Sequence, residues 1–107
     1  MKIQASYRGE TIGVYAIDLC HYGDRGDYEV FPDRELGVDI EKMSEELEAG
    51  GFELDYVSDE VLIFRRGDTE YTAYPDGRLI IESLRPGSTA QAIEAACAVW
   101  GYEPQRT

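Results

Sequence analysis

Polar and apolar residues alternate over 2–7 (KIQASY), with Ile3, Ala5 and Tyr7 on one side. After Arg8-Gly9-Glu10 the β-rich run TIGVYAI at 11–17 follows, so 1–17 is expected to form an N-terminal hairpin. From Asp18 to Val38 the pattern breaks down. Gly23, Gly26, Pro32 and Gly37 punctuate it and only Tyr28–Phe31 resembles a strand, which predicts a loop-rich excursion over 18–38.

The period then changes. In DIEKMSEELEAGG, Ile40, Met43 and Leu47 recur at helical spacing, Asp39 is placed to cap the first turn, and Gly50-Gly51 supply the stop. Beyond it, Phe52, Leu54 and Tyr56 alternate with Glu53 and Asp55. Turns at Ser58-Asp59, Gly67-Asp68 and Pro75-Asp76-Gly77 separate VLIFRR, EYTAY and RLIIES. Glycine-containing pairs such as Gly67-Asp68 adopt the positive φ that tight antiparallel hairpins require, so 52–83 reads as a four-stranded meander. In STAQAIEAACAVWG, Ser88 and Gln91 have capping-box spacing. Ile93, Ala96, Cys97 and Trp100 form its apolar stripe and Gly101 its stop. Strands precede a helix and four more precede a second helix. The expected fold is therefore α+β, a single domain over 1–107. It comprises a curved antiparallel sheet of hairpin plus meander, with two helices on one face and the core at 39–102.

From Asp39 onward, the order helix, meander, long helix, with a leading strand at 2–7, resembles one half of the TATA-box-binding protein fold. AYPDGRLIIES followed by STAQAIEAACAVWG carries that resemblance. It implies a homodimer to supply the second half. It also implies that Tyr74 stands where the family places a groove-wedging Phe and Arg78 at the basic position after the turn. Glu82 departs from the pattern, with a carboxylate where the family has a small polar residue.

Charge argues against the nucleic-acid role. Lys plus Arg number 10 against 22 Asp plus Glu, a formal charge of −12, and 39–60 alone sets nine carboxylates against Lys42. Phosphate-driven binding needs clustered cations, so nucleic acid and anionic membrane are disfavoured. Hydrophobic residues at 43% are too many for a solvated acidic tail and imply a buried core. The glutamates on the outer face of 40–49 read as a solvated helix face. The start MKIQASYRGET lacks an apolar signal stretch, and Cys20 and Cys97 form no disulfide pattern, which together predict a cytoplasmic protein.

Candidate chemistry concentrates in IDLCHYGDRGD, where Asp18, Cys20, His21, Asp24 and Asp27 include imidazole, thiol and carboxylate donors of the kinds that hold zinc or iron. Their spacing fits no familiar ligand pattern, and strand neighbours point to opposite faces, so turn-capping carboxylates are the simpler reading and no cofactor is expected. The sole histidine adjoins Cys20 only in sequence, and no P-loop or G-x-S-x-G is present. Cys97 lies on an apolar stripe and reads as core.

VLIF and LII are apolar on both faces, where a sheet covered on one side should alternate. The second face therefore needs a cover: the 18–38 excursion, a second copy, or a ligand. The favoured expectation is a non-catalytic module that associates with a protein partner or with itself. Phe64, Ile80 and Leu62 are expected in the uncovered face and Tyr74 near its rim. A ligand- or metal-dependent enzyme built on Asp18–Asp27, and a single-repeat nucleic-acid binder, are the rivals.

Overall fold

Alternation and turn chemistry assemble eight strands into one open antiparallel sheet. The computed structural model describes residues 1–105. In chain order the elements are β1 (Lys2–Tyr7), β2 (Glu10–Tyr22), β3 (Arg25–Pro32), α1 (Ile40–Ala49), β4 (Glu53–Val57), β5 (Leu62–Arg66), β6 (Thr69–Ala73), β7 (Leu79–Leu84), α2 (Thr89–Trp100) and β8 (Glu103–Pro104). Across the sheet they stand β4-β5-β6-β7-β3-β2-β1-β8. The α+β class, both helices and the meander are as expected.

The expected excursion over 18–38 is overturned. β2 continues through Tyr22 and β3 occupies Arg25–Pro32, leaving only 33–39 as the link to α1. Gly23-Asp24 makes the same glycine-first turn as Gly67-Asp68, each glycine at φ 62°. Gly26 is a space requirement rather than punctuation, because a Cβ there would stand 2.5 Å from the Tyr28 hydroxyl oxygen. The strand beside the meander is β3, paired with β7, and not residues 2–7, which lie near the opposite edge.

One face of the sheet carries the core. Across it run Val57, Leu62, Ala73, Leu79, Val30 and Ala16, and beside them Leu54, Phe64, Tyr71, Ile81 and Tyr28. α2 lies over β2, β3 and β7 while α1 lies against β4, and all contribute to a single buried cluster. The rings of Phe64 and Tyr71 stack at 5.0 Å and Phe52 meets both edge-on. Asp39 Oδ1 accepts from the Lys42 amide at 3.2 Å and Ser88 Oγ from the Gln91 amide at 3.0 Å, so both helices start on the expected caps. Gly101, left-handed at φ 79°, ends α2. Tyr102, buried against Tyr7, then turns the chain into β8. Among the described residues no helix is long and apolar enough to cross a membrane.

Candidate functional site

The face of the sheet turned away from the helices carries the candidate surface. Strand register places its side chains in transverse rows, since directly paired residues point the same way. The middle row is Tyr56, Ile63, Thr72, Ile80, Glu29 and Ile17, unbroken from β4 to β2. Ile63 and Ile80 are partly exposed, and Ile17 and Tyr56 are 44% and 54% exposed. Tyr56 reaches this face through a bulge between Leu54 and Tyr56; simple alternation would have sent it inward with Leu54.

One flank of that row is aromatic and cationic. Tyr15 stacks on Phe31 at 5.4 Å, Lys2 Nζ lies 5.3 Å from the Tyr15 ring, and the Arg78 guanidinium lies 4.3 Å from the Tyr74 ring. Arg78 Nε also donates to Asp76 Oδ2 at 2.9 Å. That hydrogen bond raises the Arg78 pKa, and Glu29 adds to the effect.

The opposite flank is acidic. Glu53 pairs with Arg65, Arg65 with Glu70 and Glu70 with Glu82. Arg65 is drawn toward the β4 edge, with Nη2 3.0 Å from Glu53 Oε2 and Nε 3.7 Å from Asp55 Oδ1. Glu70 and Glu82 are left directly opposite each other with no ion pair among the described residues. Like charges in that position destabilise a sheet.

Of the four expected interface residues, Ile80 lies in the middle row and Tyr74 at its rim. Leu62 and Phe64 do not: both are 0% exposed on the helix-covered side. Phe64 pairs with Tyr71 and Tyr71 with Ile81, whereas Ile63, Thr72 and Ile80 form the outer series. The relative register of β5 and β7 decides this, and neither strand contains it alone. Tyr15, Ile17, Glu29 and Phe31 were missed. The available signal was Gly23-Asp24, a hairpin turn of the same kind as Gly67-Asp68.

The long hairpin brings the Asp18–Asp27 residues together only in pairs, Asp18 with His21 and Cys20 with Asp27. Asp18 pairs with Tyr28 and His21 with Gly26, while Cys20 pairs with Asp27 across a bulge in β2. His21 Nδ1 lies 3.3 Å from the Tyr28 hydroxyl and 3.7 Å from Asp18 Oδ2. Burial, with Asp18 and Asp27 adding, pushes the Tyr28 phenol up, so it stays protonated. Asp27 Oδ1 accepts from the Ser83 amide at 2.9 Å and the Tyr22 hydroxyl at 3.1 Å. It thereby pins Ser83 in the left-handed region at φ 59°, where β7 bulges against β3. Asp24 holds Arg85, with Oδ2 3.1 Å from Nε. Among the described residues no three His, Cys, Asp or Glu side chains gather into a metal-binding group. Cys97 is half-buried at the border of the α2 stripe, and burial pushes its thiol up, further from the reactive thiolate.

No family model, curated protein or solved structure matches this chain.

Proposed function

We propose that the protein is a non-catalytic association module whose working surface is the open face of its sheet. One observation carries this reading: Tyr56, Ile63, Ile80 and Ile17, interrupted by Thr72 and Glu29, form a row across six strands on a face that no segment of the described chain covers. Of the 18–38 segment, one of the three expected covers, residues 18–22 and 25–32 lie in β2 and β3 and extend the sheet instead. Exposed apolar side chains grouped in this way, rimmed by charge, are what protein interfaces present.

The fold-level resemblance to one half of the TATA-box-binding protein is retained within this reading, with β3 as the strand beside the meander. The chemistry of the face favours protein over nucleic acid. Arg78 is tied to Asp76 and Tyr74, and Glu82 adds a carboxylate beside Glu70 on a chain of charge −12.

Photo-crosslinking in cells tests the reading. A benzophenone amino acid at position 63 is expected to capture protein, and the same group at Glu45 on the exposed side of α1 is expected to capture none. No adduct from position 63, or equal adducts from both, overturns it.

A further inference from the structure

We infer that the occupant of this face is a second copy of the same chain, seated on a two-fold axis that runs along the Tyr56–Ile80–Ile17 row. The inference rests on reading the open face as an association surface and adds the partner and its geometry.

An isologous contact must be self-complementary. When two sheets face each other across an axis parallel to the middle row, each strand lies over its own mate. The apolar row then meets itself, and each flank meets the partner's other flank. Two positions to either side of Ile80 stand Arg78, just before β7, and Glu82 within it. Arg78, of which only Nε is held by Asp76, therefore turns its Nη groups over the partner's Glu82, and the partner's Arg78 does the same over Glu82. Tyr74, just past the end of β6, comes over the partner's Glu70, bringing the Arg78 guanidinium stacked on it toward that carboxylate.

The Glu70–Glu82 pair, unfavourable within one copy, gains a counter-charge in the dimer. An axis parallel to the strands would instead set the acidic flank on itself, so charge selects the first axis. Glu29 in the middle row meets its own mate, a like-charge contact that is a cost of this axis, since each Arg78 already faces Asp76 and the partner's Glu82.

The area agrees with a modest dimer. Six strands at about 4.8 Å spacing and five residues at about 3.4 Å rise give roughly 500 Å² per copy. The total of about 1,000 Å² lies below the standard size of stable interfaces, in the range of weak, transient association.

Charge reversal tests the axis directly. Arg78→Glu and Glu82→Arg are made separately, their folds checked by circular dichroism and their association followed by native mass spectrometry and sedimentation velocity. The wild type is expected to dimerise, and each single variant to weaken its own dimer by about tenfold or more. Mixing the two variants is expected to give heterodimers, because both interfacial contacts become Glu–Arg again. Ile80→Glu is expected to abolish dimerisation, and Ile80→Gln, which places no second carboxylate opposite Glu29, to weaken it with its fold intact.

A wild type that stays monomeric overturns the inference, as does a dimer indifferent to Ile80→Glu. A dimer lost with Ile80→Glu but not re-formed in the mixture also overturns it. The association reading fails separately, when position 63 captures nothing; a position-63 adduct of another mass keeps that reading and removes the second copy.

Discussion

Phe64→Ala set beside Ile63→Ala tests the assignment of faces, because the two residues are neighbours on β5 that point opposite ways. Phe64 is fully buried, stacked on Tyr71 at 5.0 Å and met edge-on by Phe52 at 5.2 Å. Truncating a buried Phe costs about 3–5 kcal/mol, and the lost ring pairs place this site in the upper half of that range. A domain of this size holds about 5–15 kcal/mol in total, so the variant gives up a large share of its stability. Ile63 is partly exposed, so its truncation is expected to cost about 1 kcal/mol or less. The assay is urea denaturation followed by the fluorescence of Trp100, the chain's single tryptophan and 7% exposed. Both substitutions are made in an Ile80→Glu background, so that self-association does not enter the midpoint. The two m-values should agree and the midpoints should separate widely. A Phe64→Ala loss no larger than that of Ile63→Ala would refute the register on which both the core and the open face rest.

Asp27→Ala should cost about 1–3 kcal/mol by orphaning the Ser83 amide. Adding Ser83→Gly, which accepts φ 59° freely, should recover part of it in urea melts; no recovery would contradict the clamp. Tyr102 is buried with its hydroxyl unpartnered, and burial pushes its phenol well up. Its raised folded pKa gives stability that is complete below the unfolded value near 10 and declines as pH rises above it. Tyr102→Phe should reduce this alkaline loss without lowering stability at pH 7, as followed by circular dichroism. The hydrogen bond from Arg34, helped by the Gly13 amide contact, holds the Asp33 carboxyl below its ordinary value. Its contribution is present above about pH 4 and lost as pH falls through the depressed folded value. Arg34→Gln should move the Asp33 titration upward by carbon-detected NMR.

The parts of the fold visible in the sequence are those whose signals are local. α1 and α2 announce themselves by apolar spacing and by Asp39, Ser88 and Gly101, and all three caps are used. The meander is set by its turns. What escaped depends on distant partners. β3 looks like loop because Gly26 interrupts it, yet that glycine is needed so that the Tyr28 ring can lie against the backbone. Tyr56 changes faces through one extra residue in β4, which no periodicity within five residues reveals. For the surface, Ile80 and Tyr74 were legible from β7 and its turn. Phe64 and Leu62 were set on the wrong side because the faces of β5 and β7 are matched only through β6. Tyr15, Phe31 and Glu29 join the same surface only once β3 is known to pair with β7.

The sheet protects its edges differently from its open face, and that contrast argues for where association occurs. An antiparallel sheet risks unwanted pairing at its outer strands. Here β4 carries Glu53 and Asp55 and is interrupted by a bulge, while β8 is only two residues long and includes Pro104. Each is a recognised way of discouraging further strands. The middle of the open face has little comparable protection: Ile63, Ile80 and Ile17 are interrupted only by Thr72 and Glu29. If solubility as an isolated copy were the only demand, a charge at position 63, or a cation at position 80 opposite Glu29, would meet it at small cost, since neither residue is needed in the core. The apolar row is therefore better explained by contact with a partner than by folding. The net charge of −12 then bears on when two copies meet: mutual repulsion acts over a Debye length of about 8 Å at physiological ionic strength and about 3 Å at 1 M. Dimerisation should strengthen as salt is raised, even though the Arg78–Glu82 contacts themselves weaken. Sedimentation across a salt series checks this, and a dimer that dissociates as salt rises would show that local charge pairs outweigh the repulsion between the two acidic bodies.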